Sequence, residues 1–459
     1  MGSSISRTQR RGPSGSAISA DNSRGASVAA VELSGALNQA LAEIDLDGNL
    51  NVKFQQLIQQ LDQTASKYRN SKVSDDGSAT DWNCPQAEAQ LVSAAWKCAR
   101  ATYDLESIVA DTAYCTFRKD HVLHHSRTGI VKALISIIVE PVDKPGTESD
   151  SLPVLVIAIR GSASKMDHIV NANSRPKATE SFIQHPNFLK QPKLQAHSGF
   201  LNSSWALAKI VSERIEAYVA GTETQSERKP HVLFTGHSAG GAVASLFYLH
   251  YISNPNFSES ARFSCVTFGA PPCVTAPVDL SLYQPGGPTL CLNIINEFDV
   301  VSRADKPYIL SLVDLVRAKV DLPPEASGSA TSENTIRAPN KAKLEHELES
   351  FPSIDTFLSD SDESFVLRNS DFWGLPRPFY HHVGSRVILM MRLDEGKLGL
   401  RVVEVPLSEF RKLLFCRIAV HFKARYGERV EMLESGRFNH QDGWEREPEE
   451  QDLKGKDML

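Results

Sequence analysis

The chain has 459 residues, a formal net charge of -6 and 41% hydrophobic residues. That is enough apolar material for an α/β domain with tails and insertions, and the charge is too evenly balanced for a nucleic-acid footprint. Its seven cysteines contain no C-x-x-C pair, which argues against a disulfide framework or a zinc site, and no apolar run approaches the roughly 18 to 20 residues that span a bilayer.

Residues 1–29 are rich in Ser, Gly and Arg and read as a disordered tail without the apolar stretch of a secretory signal, so a cytoplasmic protein is expected. Met1-Gly2-Ser3-Ser4-Ile5-Ser6 fits the pattern for N-myristoylation at Gly2, and Arg7, Arg10 and Arg11 follow it. One acyl chain with a basic cluster would give peripheral contact with the cytosolic face of a membrane. Residues 30–80 read as a helical extension, with Leu37, Leu41, Ile44, Phe54, Leu57, Ile58 and Leu61 at helical spacing. The break at Asp45-Leu46-Asp47-Gly48-Asn49 lacks the glycine position and the glutamate of a calcium loop and reads as a turn.

From residue 81 to 430 helical and strand patterns alternate. Gln86 to about Ile108 predicts a helix, and Ile130 to Val139 and Pro153 to Ile159 predict buried strands. Trp205, Ala208, Val211, Ile215 and Val219 form one apolar helical stripe. Strands are expected at Val232 to Thr235, Ser264 to Phe268, Leu290 to Ile295, Gly384 to Leu393 and Leu398 to Val405, then an amphipathic helix from Leu407 to Tyr426. Residues 321–371 turn polar and acidic and read as a disordered insertion; beyond Gly427 the chain becomes charged, and 431–459 reads as a polar tail. This alternation predicts a mostly parallel, doubly wound sheet with helices on both faces.

Gly236-His237-Ser238-Ala239-Gly240-Gly241 stands between an apolar strand and a small-residue helix start, which is the setting of a nucleophile elbow. Glycines let strand and helix approach, the serine hydroxyl stands clear of the sheet, and the helix N-terminus points at the place where charge develops during acyl transfer. Such a serine needs a histidine, and the histidine needs a carboxylate. In α/β-hydrolases the acid and then the histidine follow the serine. Glu297 and Asp299 lie just past a strand, and His382 and His421 stand further on. His121, His124 and His125 lack carboxylates or cysteines at ligand spacing, so no metal is expected.

Several separate motifs resemble the class 3, fungal-type lipases, a family that includes sn-1-specific diacylglycerol lipases and plant phospholipases A1. These are Ile159-Arg160-Gly161-Ser162, His197-Ser198-Gly199-Phe200 with Ser204-Trp205, Thr267-Phe268-Gly269-Ala270-Pro271, and the N-x-x-D-x-V-x-R segment from Asn296 to Arg303. The resemblance implies an α/β-hydrolase fold with a lid, and a triad of Ser238, Asp299 and His421, with His382 the second candidate base. It also implies an oxyanion hole from Ser162 and Ala239, a lid over Lys165, Asp167, Ile169 and Val170, and no cofactor. His421 is singled out because the family carries a late H-x-x-x-x-Y, here ending in Tyr426. The lid departs from the family in having Asp167-His168 where a tryptophan is common. The function implied is a serine carboxylic-ester hydrolase acting on acyl-lipid esters. The alternatives are an inactive lipase-like, lipid-binding regulator and a soluble-ester, feruloyl-type esterase.

Overall fold

The computed structural model describes residue 61 and residues 64–74, 79–124, 133–142, 151–161, 175–183, 194–222, 229–283, 290–319, 371–384, 386–392, 399–417, 419–441 and 443–444. The strands are β1 (Thr80–Asp81), β2 (Cys115–Leu123), β3 (Leu134–Pro141), β4 (Val154–Ile159), β5 (Pro176–Ala178), β6 (Gln195–His197), β7 (His231–His237), β8 (Arg262–Phe268), β9 (Cys291–Asn296), β10 (Arg386–Arg392) and β11 (Leu400–Pro406). The longer helices are α1 (Gln86–Ala101), α2 (Ser198–Thr222), α3 (Ala239–Ile252), α4 (Lys306–Lys319) and α5 (Lys423–Glu434).

Nine of the strands make one sheet in the order β1-β11-β10-β9-β8-β7-β4-β3-β2, and β5 pairs with β6 apart from it. The five central strands, β4, β7, β8, β9 and β10, run parallel, with antiparallel pairs at both flanks. Central strands covered on both faces need apolar residues at every position. Along β4, Leu155, Ile157 and Ile159 pack into the core under α2 and α3, whereas Val154, Val156 and Ala158 pack into the core under α1 and α5. Each of the Leu, Ile and Val side chains contributes about 1.5–3 kcal/mol on burial, and shifting the register by one residue would exchange the two cores. This is the α/β-hydrolase arrangement, with the ends of β7, β8 and β9 side by side.

Two expectations need correction, and one strand was not foreseen. The helix predicted over Leu407 to Tyr426 is a single turn at Leu407–Phe410, followed by extended chain, a short turn at Ala419–His421, and only then α5. The extended part takes its hydrogen bonds from distant partners: Leu414 N–H donates to Asn70 O at 2.7 Å and Arg417 N–H to Phe298 O at 2.8 Å. The chain past Gly427 is ordered helix to Glu434, and Phe438 beyond it is buried, because Tyr426, Val430, Leu433 and Phe438 complete the core against α1. Strand β2 was not anticipated, since Arg118, Lys119 and Asp120 interrupt its apolar pattern and a bulge falls between Lys119 and His121. The proposed acylation site at Gly2, the arginines at 7, 10 and 11, and the turn at 45–49 lie outside the described residues.

Candidate active site

Strand β7 ends in His237 and α3 begins at Ala239, leaving Ser238 alone to turn the chain. Its backbone sits at φ 57°, ψ -136°. A side-chain-bearing residue held there stores about 1–3 kcal/mol, so the surroundings must impose it. They do: a Cβ on Gly240 would overlap the carbonyl of Ile159, and one on Gly236 would run into the backbone of Gly240. Ser238 N–H is fixed by Phe268 O at 2.9 Å, which ties the elbow to the end of β8.

Just past the end of β9 stands Asp299, the acid expected from the sequence. Phe298 takes φ 71°, and Asp299 follows it into full burial. One carboxylate oxygen, Oδ1, accepts the N–H of Val301 at 2.9 Å. The other, Oδ2, meets His421 Nδ1 at 2.8 Å and the Tyr426 hydroxyl at 2.7 Å. Glu297, two residues earlier, is tied through its N–H to Met390 O, and its carboxylate helps to keep Arg429 charged. With the carboxylate at Nδ1, that nitrogen carries the proton and Nε2 keeps a lone pair, the tautomer a general base requires.

His421 reaches the elbow because two segments grip it. The imidazole of His237 stacks on that of His421, with ring centroids 4.7 Å apart, and His237 Nε2 lies 2.9 Å from the His421 carbonyl. Gly269, at φ 56° just after β8, leaves the room these groups occupy; a Cβ there would stand 2.8 Å from Asp299 Oδ2 and 3.0 Å from His421 Nδ1. Burial and the neighbouring His421 push the His237 imidazole well below the usual histidine range, so it is neutral. Asp299 also anchors the incoming chain, through a parallel bridge to Arg417.

His382 stands elsewhere. Its Nε2 lies 3.1 Å from Ala270 O and its ring packs edge-on against Phe410. Burial, and then the charges of Arg303 and Arg411, push it down to about 3, so it is a neutral hydrogen-bond donor. The structure therefore brings Asp299 together with His421, whose ring stacks on His237, the residue before Ser238, and leaves His382 out of that pair. Arg303 has a supporting place: it donates to Phe410 O and Arg411 O at 2.9 and 2.6 Å, with its guanidinium 4.7 Å from the Tyr308 ring centroid. His197 of the H-x-G-F segment stacks on Phe200 at 4.1 Å and is part of the packing.

Ala239 is the first residue of α3, at the helix N-terminus. Ser162 and the lid residues Lys165, Asp167, Ile169 and Val170 lie outside the described residues. Gly161, next to Ser162, packs against the elbow: a Cβ there would stand 3.3 Å from the Cβ of Ser238. Among the described residues no three His, Cys, Asp or Glu side chains come together as a metal site would need. Two site residues were missed from sequence. Position 237 belongs to the elbow motif, but nothing local says what its imidazole bonds, and Tyr103, 134 residues away, carries no signal at all.

Residues 156–308 match the family model described as Lipase (class 3). Two Arabidopsis thaliana proteins are similar over 196 residues, 40% of this chain: Protein EDS1 at 29% identity and Protein EDS1L at 32%. The match spans 30% of the length of each of these curated relatives. Among solved structures, the native Rhizomucor miehei lipase propeptide complex is 17% identical and aligns with TM-score 0.34 over 52% of this chain and 74% of that one.

Proposed function

We propose that this chain, whose residues 156–308 match the class 3 lipase model, is a serine carboxylic-ester hydrolase that cleaves acyl-lipid esters, acylglycerol or phospholipid, through an acyl-enzyme. The observation that carries this reading is the hydrogen bond from His421 Nδ1 to the buried carboxylate of Asp299, at 2.8 Å, on a histidine stacked against the residue preceding Ser238.

In this mechanism Ser238 Oγ attacks the ester carbonyl as His421 Nε2 takes its proton. The oxyanion forms at the N-terminus of α3, where the N–H of Ala239 and the proposed partner Ser162 receive it; each donor of this kind contributes about 3–4 kcal/mol. The imidazolium, held by Asp299, then protonates the leaving alcohol. In the second half-reaction His421 activates the water that releases the fatty acid. Every group required is a side chain or backbone amide of the chain itself. Acylation at Gly2 together with Arg7, Arg10 and Arg11 would hold the protein on the cytosolic face of a membrane, where such substrates reside.

A fluorophosphonate probe tests the reading. Label is expected on Ser238 and lost in Ser238→Ala, followed by release of fatty acid from mono-, di- or triacylglycerol or phospholipid. Failure to label would turn the assignment to a lipase-like, lipid-binding regulator, and cleavage of water-soluble esters alone to a soluble-ester esterase. For the membrane part, Gly2→Ala should release the protein from membranes; an unchanged distribution removes myristate as the anchor.

A further inference from the structure

Tyr103 lies in the turn that follows α1, far in sequence from every member of the proposed triad, yet its hydroxyl occupies a junction of three segments. It lies 2.9 Å from His237 Nδ1. It also packs so closely on Gly161, the residue before Ser162, that a Cβ there would overlap it. Its ring lies under the Lys423 ammonium at 4.2 Å, two residues after His421.

The proton positions follow from the partners. A backbone carbonyl only accepts, so the 2.9 Å contact between His237 Nε2 and the His421 carbonyl requires the proton on Nε2. A neutral imidazole then offers a lone pair at Nδ1, and the Tyr103 hydroxyl must be the donor there. The order is fixed from end to end: Tyr103 O–H to His237 Nδ1, then His237 Nε2–H to the carbonyl of His421. Without the hydroxyl, the carbonyl still selects the proton on Nε2, but the buried Nδ1 loses its donor and nothing pins that end of the ring. The imidazole can then tilt, and its hold on the segment that carries the base loosens.

We propose that Tyr103 is a positioning residue for the hydrolytic reaction, which pins the ring of His237 by its Nδ1 and through it holds the backbone of His421 against the nucleophile elbow. The inference rests on the hydrolase reading above. A displaced base weakens the proton transfer and leaves the acyl-binding surface intact, so the loss belongs in kcat.

The test is Tyr103→Phe in the full chain, assayed with a short-chain p-nitrophenyl ester and by the second-order rate of fluorophosphonate labelling. The expected result is a fall of about tenfold in kcat and in labelling rate, with KM held within about twofold. His237→Gln supplies a control that a merely structural role would not satisfy, because an amide donor aimed at the His421 carbonyl has no imidazole Nδ1 for Tyr103 to pin. In that background Tyr103→Phe should cost no further activity. Unchanged kcat in Tyr103→Phe overturns the inference, as do a loss confined to KM or equal losses in both backgrounds. If the wild-type chain takes no label at Ser238, the hydrolase reading itself has failed; if it labels and Tyr103→Phe labels equally fast, only the role of Tyr103 has.

Discussion

The Tyr426 hydroxyl donates to Asp299 Oδ2 at 2.7 Å and accepts the backbone N–H of Asn296 at 3.0 Å. It thereby joins α5 to the end of β9 at the same carboxylate oxygen that receives His421. Tyr426→Phe would strand the buried Asn296 N–H and take one donor from the carboxylate. Loss of about 1–3 kcal/mol in urea unfolding and slower fluorophosphonate labelling are expected. A variant equal to wild type in both would show that Val301 N–H and His421 suffice to hold Asp299.

The two histidines that sequence left open separate cleanly by substitution. His421→Gln should lower the labelling rate of Ser238 by at least about a thousandfold, as loss of a general base does in serine hydrolases. His382→Gln keeps an amide donor near Ala270 O and should stay within about threefold of wild type. The reverse pattern would move the base to His382 and contradict the geometry at Asp299.

Glycine placement gives a pair of opposite outcomes. Gly240→Ala puts a Cβ into the Ile159 carbonyl and against Arg160 and Gly161, all backbone, so at least about 2 kcal/mol of stability and most of the labelling should be lost. Gly221, near the end of α2, has nothing within 4 Å of an added Cβ, and Gly221→Ala should stabilise by up to about 0.5–1 kcal/mol. Thermal midpoints of the two variants decide it, and a harmless Gly240→Ala would mean that the elbow can open.

Acid should destabilise the fold through histidines that are buried uncharged. Burial pushes His231 down to about 4, and His382 down to about 3. Unfolded, both titrate near 6.5. Between these values the unfolded chain binds more protons than the native one, so stability rises with pH there and falls on acidification. The loss begins near pH 6.5 and continues to the folded pKa, on the order of 3 kcal/mol for His231 by pH 4. Urea midpoints at pH 7.5, 6 and 5 measure it, and His231→Gln should flatten the slope by up to one proton. Midpoints that hold from pH 7.5 to 5 would contradict the neutral burial of these side chains.

The elbow was legible in sequence because every constraint on it is local: a strand, one residue at positive φ, and glycines at 236, 240 and 241 that let the backbone close. Asp299 was nearly so, standing a few residues past an apolar strand. The approach of His421 was not. Leu407, Phe410 and Leu414 sit at helical spacing, yet Leu413, Leu414, Phe415 and Cys416 are all buried in succession, as extended chain between two cores must be. What holds it extended is distant in sequence: the Tyr308 hydroxyl accepts Phe415 N–H at 2.7 Å and donates to Phe415 O at 2.8 Å. Tertiary partners of this kind override a local helical pattern, and periodicity has no access to them. The same limit hid Tyr103, whose role exists only once α1 has docked beside β7.

The parallel bridge between Asp299 and Arg417 makes the site late as well as long-range. On the ribosome the serine and its carboxylate are made first, and the imidazole follows 122 residues after the carboxylate. At ordinary synthesis rates that interval is roughly 6 to 24 seconds. On the hydrolase reading proposed above, a growing chain would spend it with Ser238 made and its proposed base still missing, so hydrolysis would start only after the segment carrying position 421 has emerged and docked.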